Sequence, residues 1–346
     1  MPHGTTPLPA LRRRTFLTAA LALGVAGCAP AAAPSGTPSP VAPPPSVRAT
    51  IGLSYIPNVQ FAPFYVAEAQ SLFGAVNATV SLRHHGATEG LFNAFTSGTE
   101  DFLVAAGSEA MQARAEGVDA IAVGAYYKAF PVDVIVLGSS SIRELGDLKG
   151  RSLGVPGRFG ESWLAVQVAL ATAGLTEKDV KIVEVGYTQV AALTTKKVDA
   201  VVGFRTNELV QLRADGADPR VLPVAAGTVP LVSTCLLTTA AYAQANPDVV
   251  RQVVAATAKA IEATAADPGR AVDESAKVIP GWTAASRPNA EQVLAATVEL
   301  MGVTGGRFDP GLDEAQWGEM GQFLQRADLL PASVSAAEAF TNTYSR

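Results

Sequence analysis

Four segments of this chain place aromatic, amide and acidic side chains where an apolar run gives way to a helix-like pattern. In the first, Ser54–Tyr65, residues Tyr55, Asn58, Gln60 and Phe61 surround a proline turn, whereas Phe64 and Tyr65 fall where a helix packs on a sheet. The second, Gly154–Trp163, has glycines spaced G-x-x-G-x-x-G rather than G-x-G-x-x-G, and no P-loop lysine follows, so dinucleotide and nucleotide-phosphate chemistry is poorly served. What it offers at Phe159, Gly160, Glu161, Ser162 and Trp163 is a helix start with free backbone N–H groups beside two flat rings. The third carries Tyr187; the fourth carries Arg205, Asn207 and Glu208, which either bracket a ligand or open a helix with Thr206 or Asn207 as its cap. Ser108, Tyr126 and Tyr127, at two further strand ends, complete the candidate ligand-binding set.

Such a set suits recognition of a small molecule, and the residues for catalysis are missing. His3 lies in the leader, and His84 and His85 are consecutive in a strand, where neighbouring side chains point to opposite faces and cannot share a metal. The chain has no G-x-S-x-G, H-E-x-x-H or C-x-x-C motif. No catalytic residue, metal site or cofactor is expected.

The elements that must hold these segments alternate short apolar strands with amphipathic helices. Strands are expected at Ala49–Leu53, Ala78–Leu82, Phe102–Ala105 and Ile121–Tyr126, with helices at Pro63–Phe73, Leu91–Ser97 and Glu109–Glu116. Proline at helix starts and glycine just past their ends support the assignment. A second set begins after strand Val132–Leu137: helix-like Ile142–Leu148, strands Ser152–Val155, Lys181–Val185 and Ala200–Phe204, and helices Ser162–Ala173 and Val190–Thr195. Beyond Pro247 the pattern is helical, with an apolar stripe through Val249, Val250, Val253, Val254 and Ile261 and later helices near Glu291–Met301 and Leu312–Leu324. Two α/β lobes follow, a ligand cleft lying beyond the carboxyl ends of their strands. The expected division is 48–137 for the first part of lobe 1, 138–235 for lobe 2, and 236–346 for a helical return that packs on lobe 1.

The amino-terminal region differs in composition. Arg12, Arg13 and Arg14 precede an apolar run from Phe16 to Ala26, about a dozen residues, where a bilayer-spanning helix needs about 20. Residues 1–27 therefore read as an export signal. Arg13–Leu17 resembles a twin-arginine motif, and Val25-Ala26-Gly27-Cys28 resembles a lipobox, whose cysteine, Cys28, would be lipidated. Residues 28–47 form a proline-rich tether that, in extended polyproline geometry, would reach roughly 60 Å. Losing the three arginines moves the formal charge from −5 to −8. A mildly acidic body gives no footprint for nucleic acid and would be repelled by an anionic membrane, so attachment would come from the lipid anchor. Cys235, the second of two cysteines, would then be unpaired and is expected in the core.

Taken together, Ser54–Ala67, Asp147–Gly157, Val198–Val202 and Asn207-Glu208 resemble the ABC-importer binding proteins for thiamine-pyrimidine precursors, sulfonates and nitrate, most of all riboflavin-binding lipoproteins. The resemblance implies a type II periplasmic-binding fold, two α/β lobes that close on ligand, with crossings expected near Leu137–Ser140 and Thr234–Leu237. It also implies an extracytoplasmic, monomeric, lipid-anchored protein that delivers a small molecule to a permease and ATPase. Nothing in the chain corresponds to the cysteine- and histidine-rich motif of the pyrimidine-synthesising enzyme of the same superfamily. Riboflavin leads the expected ligands, then a thiamine pyrimidine, with aliphatic sulfonate, taurine or nitrate behind; a ligand-sensor lipoprotein is the remaining alternative.

Overall fold

The structure, a computed structural model, describes residues 47–75, 78–86, 89–225, 229–331 and 333–345. The expected export signal, Cys28 and all of the tether but Val47 lie outside the described residues. In chain order, β1 (Val47–Leu53), α1 (Ala62–Ala69), β2 (Ala78–His84), α2 (Asn93–Thr96), β3 (Phe102–Ala106), α3 (Gly107–Ala115) and β4 (Ala120–Ala125) come first. Next are β5 (Val132–Leu137), β6 (Ser152–Val155), α4 (Gly160–Ala173), β7 (Lys181–Glu184), α5 (Gln189–Thr194), β8 (Ala200–Phe204), α6 (Glu208–Ala214) and β9 (Pro219–Leu222). The chain ends with β10 (Thr234–Thr239), α7 (Ala240–Ala245), α8 (Pro247–Ala266), α9 (Pro268–Val278), α10 (Arg287–Met301) and α11 (Glu314–Arg326).

Among the described residues these strands form two five-stranded sheets, ordered β2-β1-β3-β10-β4 and β7-β6-β8-β5-β9. In the first, β1 runs parallel to β2 and β3 while β10 is antiparallel to β3 and β4. In the second, β6 runs parallel to β7 and β8 while β5 is antiparallel to β8 and β9. Two α/β sheets joined by two crossings constitute the periplasmic-binding-protein fold that the resemblance implies.

The boundaries differ from the expected ones. Val132–Leu137 belongs to the second sheet, because both of its hydrogen-bonded neighbours, β8 and β9, lie there. The first crossing therefore runs between Ala125 and Val132, not near Leu137–Ser140. Thr234–Leu237 is no crossing either: it opens β10, inserted between β3 and β4, so the return lies between β9 and β10. Of the helix-like Ile142–Leu148 only a single 3-10 turn forms, at Leu145–Leu148.

The C-terminal helices also do more than cover lobe 1. Helices α8 and α9 pack on α1, but α10 reaches α6 of the second lobe. Val210 of α6 shares an apolar cluster with Val59, Val66, Val272, Val293 and Leu294, so one core spans the two lobes. The first crossing is held with comparable care. Phe64 of α1 stacks on Tyr126, with ring centres 5.2 Å apart and planes at 20°, and the Tyr126 hydroxyl donates to the Gln60 carbonyl at 2.8 Å. An offset pair of this kind adds about 0.5–1.5 kcal/mol beyond burial. Among the described residues no helix is long and apolar enough to cross a membrane.

Candidate functional site

A cavity of about 550 Å³ opens at the carboxyl ends of strands from both sheets. The junction from β1 to α1 contributes Tyr55, Asn58, Gln60 and Phe61 to its wall, the first crossing Tyr126 and Tyr127, and the start of α4 Phe159, Gly160, Glu161 and Ser162. Tyr187, Asn207 and Glu208 complete the expected residues that line it. Three expected residues do not. Trp163 lies one step further along α4, outside the lining, and its ring is covered by the Arg158 guanidinium at 4.5 Å. Arg205 turns from the cavity to Asp133, with its Nε 2.5 Å from Oδ2. Ser108 is buried beneath the wall, at the start of α3.

The wall is aromatic on both sides. Tyr55 of the first lobe faces Tyr187 of the second with ring centres 6.0 Å apart, and Phe159 and Tyr187 are 56% and 52% exposed. Exposed rings of this size at a cavity mouth offer apolar area to a flat ligand. Tyr126 and Tyr127 sit deeper, 4.9 Å apart, and burial pushes both hydroxyls up from their ordinary pKa, so both remain neutral donors.

Sequence reasoning missed the cavity's acidic character. Glu89, Glu109 and Glu116 join Glu161 and Glu208 in the wall, and no lysine or arginine is among the described lining residues. His85, the one imidazole among the described lining residues, is tied to the buried Glu100 carboxylate at 2.9 and 3.0 Å. Arg83 bridges the same Glu100 and Glu89, at 2.6 and 2.7 Å. Glu208 accepts from the Phe204 amide at 2.7 Å and from the Asn207 side chain at 3.0 Å, while burial raises its pKa. Only glycine at 203 lets that side chain lie against the strand, since a Cβ there would come within 2.7 Å of the Glu208 Cβ.

Glu109 and Glu161 come from opposite lobes. Glu109 stands on α3 after β3 and accepts from the Ala106 amide at 3.0 Å. Gly160, with φ +64°, takes the left-handed turn that starts α4 and sets Glu161 toward Glu109. Burial pushes the Glu109 carboxyl up to about 7 against the Ala106 hydrogen bond, and burial, then the charge of Glu109, pushes Glu161 well above the ordinary range. Glu161 Oε1 is shielded from solvent and has no hydrogen-bond partner among the described residues. A sequence signal for Glu109 existed: it lies three residues beyond the carboxyl end of a strand, as the other cavity loops do.

Among the described residues no group of three His, Cys, Asp or Glu is placed to hold a metal ion. The architecture thus provides a two-walled recognition cavity, lined by rings and carboxyl groups and reached from both lobes.

The NMT1/THI5-like family matches residues 58–271. The chain belongs to this family. It is 34% identical over 319 residues to the riboflavin-binding protein RibY of Chloroflexus aurantiacus, covering 91% of each chain. It is also 25% identical over 165 residues to a 4-amino-5-hydroxymethyl-2-methylpyrimidine phosphate synthase of Legionella pneumophila, covering 48% of this chain and 52% of that one. The fold is similar to the periplasmic aliphatic sulphonate binding protein SsuA of Escherichia coli, with TM-score 0.66, 18% identity, and coverage of 85% of this chain and 97% of that one. The long match to RibY spans both lobes and therefore every wall of the cavity.

Proposed function

We propose that this NMT1/THI5-like protein is the extracytoplasmic binding component of an ABC importer. It captures a neutral, flat heteroaromatic vitamin or precursor, riboflavin first and a thiamine pyrimidine second, and delivers it to the permease and ATPase. The observation that carries the reading is the cavity wall itself: rings from both lobes, five glutamates, and no lysine or arginine among the described lining residues. Such a wall favours stacking of a flat ring and opposes an anion. A negative ligand group about 4 Å from one ionised glutamate is disfavoured by about 4 kcal/mol at an effective dielectric of about 20. Sulfonate, taurine and nitrate therefore rank below neutral heterocycles, and the similarity to RibY supports the same order.

Capture without catalysis fits the reactive side chains. His85 is committed to Glu100, and burial pushes the Cys235 thiol up to about 12, so neither serves as a base or nucleophile. The proposal includes a monomer that is exported, lipidated at Cys28 and held to the membrane through the proline-rich tether. Native mass spectrometry of the protein purified from its own host tests the ligand assignment. A copurified neutral heterocycle is expected; an anion carried at stoichiometric occupancy would contradict the assignment.

A further inference from the structure

Glu109 and Glu161 are two acidic side chains that line one cavity from different lobes, and no lysine or arginine is among the described lining residues. The groups that face them are themselves acidic or neutral. Tyr127 from the first crossing and Cys235 from β10 lie within electrostatic reach of Glu161. Tyr55, His85, Glu89, Glu116 and Glu208 share the cavity. The nearby cations are engaged elsewhere: Arg158 with Glu177 and Glu184, Arg205 with Asp133, and Lys128 with the Gly311 carbonyl at 2.7 Å. Two carboxylates that line one cavity, with no lysine or arginine among its described lining residues, repel when both are ionised, so the pair retains a proton. Its position follows from the hydrogen bonds. Glu109 accepts the Ala106 backbone N–H, which favours the ionised form, whereas Glu161 Oε1 receives none.

We propose that Glu109 and Glu161 share one proton across the two lobes, and that Glu161, as a neutral carboxyl group, donates through Oε1 to a carbonyl oxygen or ring nitrogen of the bound heterocycle. This rests on the function proposed above and names the ligand chemistry that an unpartnered polar group of the cavity selects. The unpartnered oxygen is the independent sign: a shielded polar atom on a cavity wall loses a hydrogen bond unless a ligand or water supplies it. A carboxylate there would reject an acceptor; a carboxylic acid receives it. Ligand binding then requires the proton, and affinity depends on pH with a definite sign. It is full while the pair is protonated and falls by up to about tenfold per pH unit once the proton is lost.

Riboflavin binding, read by quenching of the flavin's own fluorescence from about pH 5.5 to about pH 9, tests this in the wild type, Glu161→Gln, Glu161→Ala and Glu109→Gln. Glutamine keeps a donor that does not titrate. Glu161→Gln is therefore expected to stay within about twofold of its low-pH affinity throughout, while Glu161→Ala binds at least about tenfold more weakly than the wild type at low pH. Glu109→Gln removes the neighbouring charge, so its fall in affinity is expected at lower pH than in the wild type. Tight wild-type binding that is flat with pH, or loss of binding in Glu161→Gln with its melting temperature intact, would overturn the proposal.

Carboxyl carbon NMR of the ligand-free protein reads the shared proton without any ligand. Two coupled titrations are expected, one above the ordinary glutamate range and lowered in Glu109→Gln; both groups titrating independently in the ordinary range would overturn the pair. Absence of riboflavin binding at every pH in every variant would refute the riboflavin assignment, and the NMR result would still decide the pair.

Discussion

Replacing Asp133 by alanine tests how the two lobes are tied together at the crossings. Asp133 lies on β5, 1% exposed, and its carboxylate has two partners: Arg205 Nε at 2.5 Å and the Val224 amide at 3.0 Å. Val224 belongs to the return segment between β9 and β10, and the Arg205 amide in turn donates to Pro131 of the first crossing at 2.8 Å. One buried side chain thus holds the return segment directly and the first crossing through Arg205. Truncation leaves the Val224 N–H unsatisfied, at a cost of about 1–3 kcal/mol. It also strands the guanidinium, which by the buried-pair range would cost about 3–5 kcal/mol. Arg205 is about a third exposed, however, and recovers much of its hydration, so the combined loss should be about 3 kcal/mol. Asp133→Asn keeps an acceptor for Val224 and loses only the charge, for about 1 kcal/mol. Urea unfolding of the three proteins measures the difference. An alanine variant within about 0.5 kcal/mol of the wild type, or an asparagine variant as damaged as alanine, would refute this reasoning.

Gly52→Ala should lower the melting temperature by about 5–10 °C, because the new Cβ would come within 2.1 Å of Glu100 Oε2 while Arg83 and His85 hold that carboxylate in place. A melting temperature within about 1 °C of the wild type would show that Glu100 moves freely. Cys235, 1% exposed and with its thiol pushed up to about 12 by burial, should resist a disulfide-exchange reagent at neutral pH until the protein unfolds; rapid reaction of the native protein would contradict this. Cys28→Ala should release the protein from the membrane fraction, and unchanged partition, with no acyl mass on the wild type, would dismiss the anchor.

Much of this architecture was legible because local signals agreed. At β1–α1 and β6–α4 an apolar run meets proline or glycine punctuation and then a helical period, and both junctions line the cavity. Where pairing partners decide, local pattern failed. Thr234–Thr239 is a short apolar run whose place between β3 and β4 depends on residues more than a hundred positions earlier. The same holds for β5, whose sheet is chosen by β8 and β9. Among site residues, Arg205 was misread because its counter-ion, Asp133, is 72 positions away. Trp163 was misread because consecutive helical residues point about 100° apart, and Glu161 and Ser162 take the cavity face. Glu109 pairs with Glu161 only through the meeting of the two lobes, which no local pattern encodes.

Calorimetric titration of the purified body with riboflavin, a hydroxymethylpyrimidine, taurine and nitrate under one set of conditions decides whether the cavity takes a neutral flat heterocycle. Saturable one-to-one binding of a heterocycle, riboflavin tightest, is expected, with no measurable heat from either anion. Tight binding of taurine or nitrate with no response to either heterocycle would contradict this expectation.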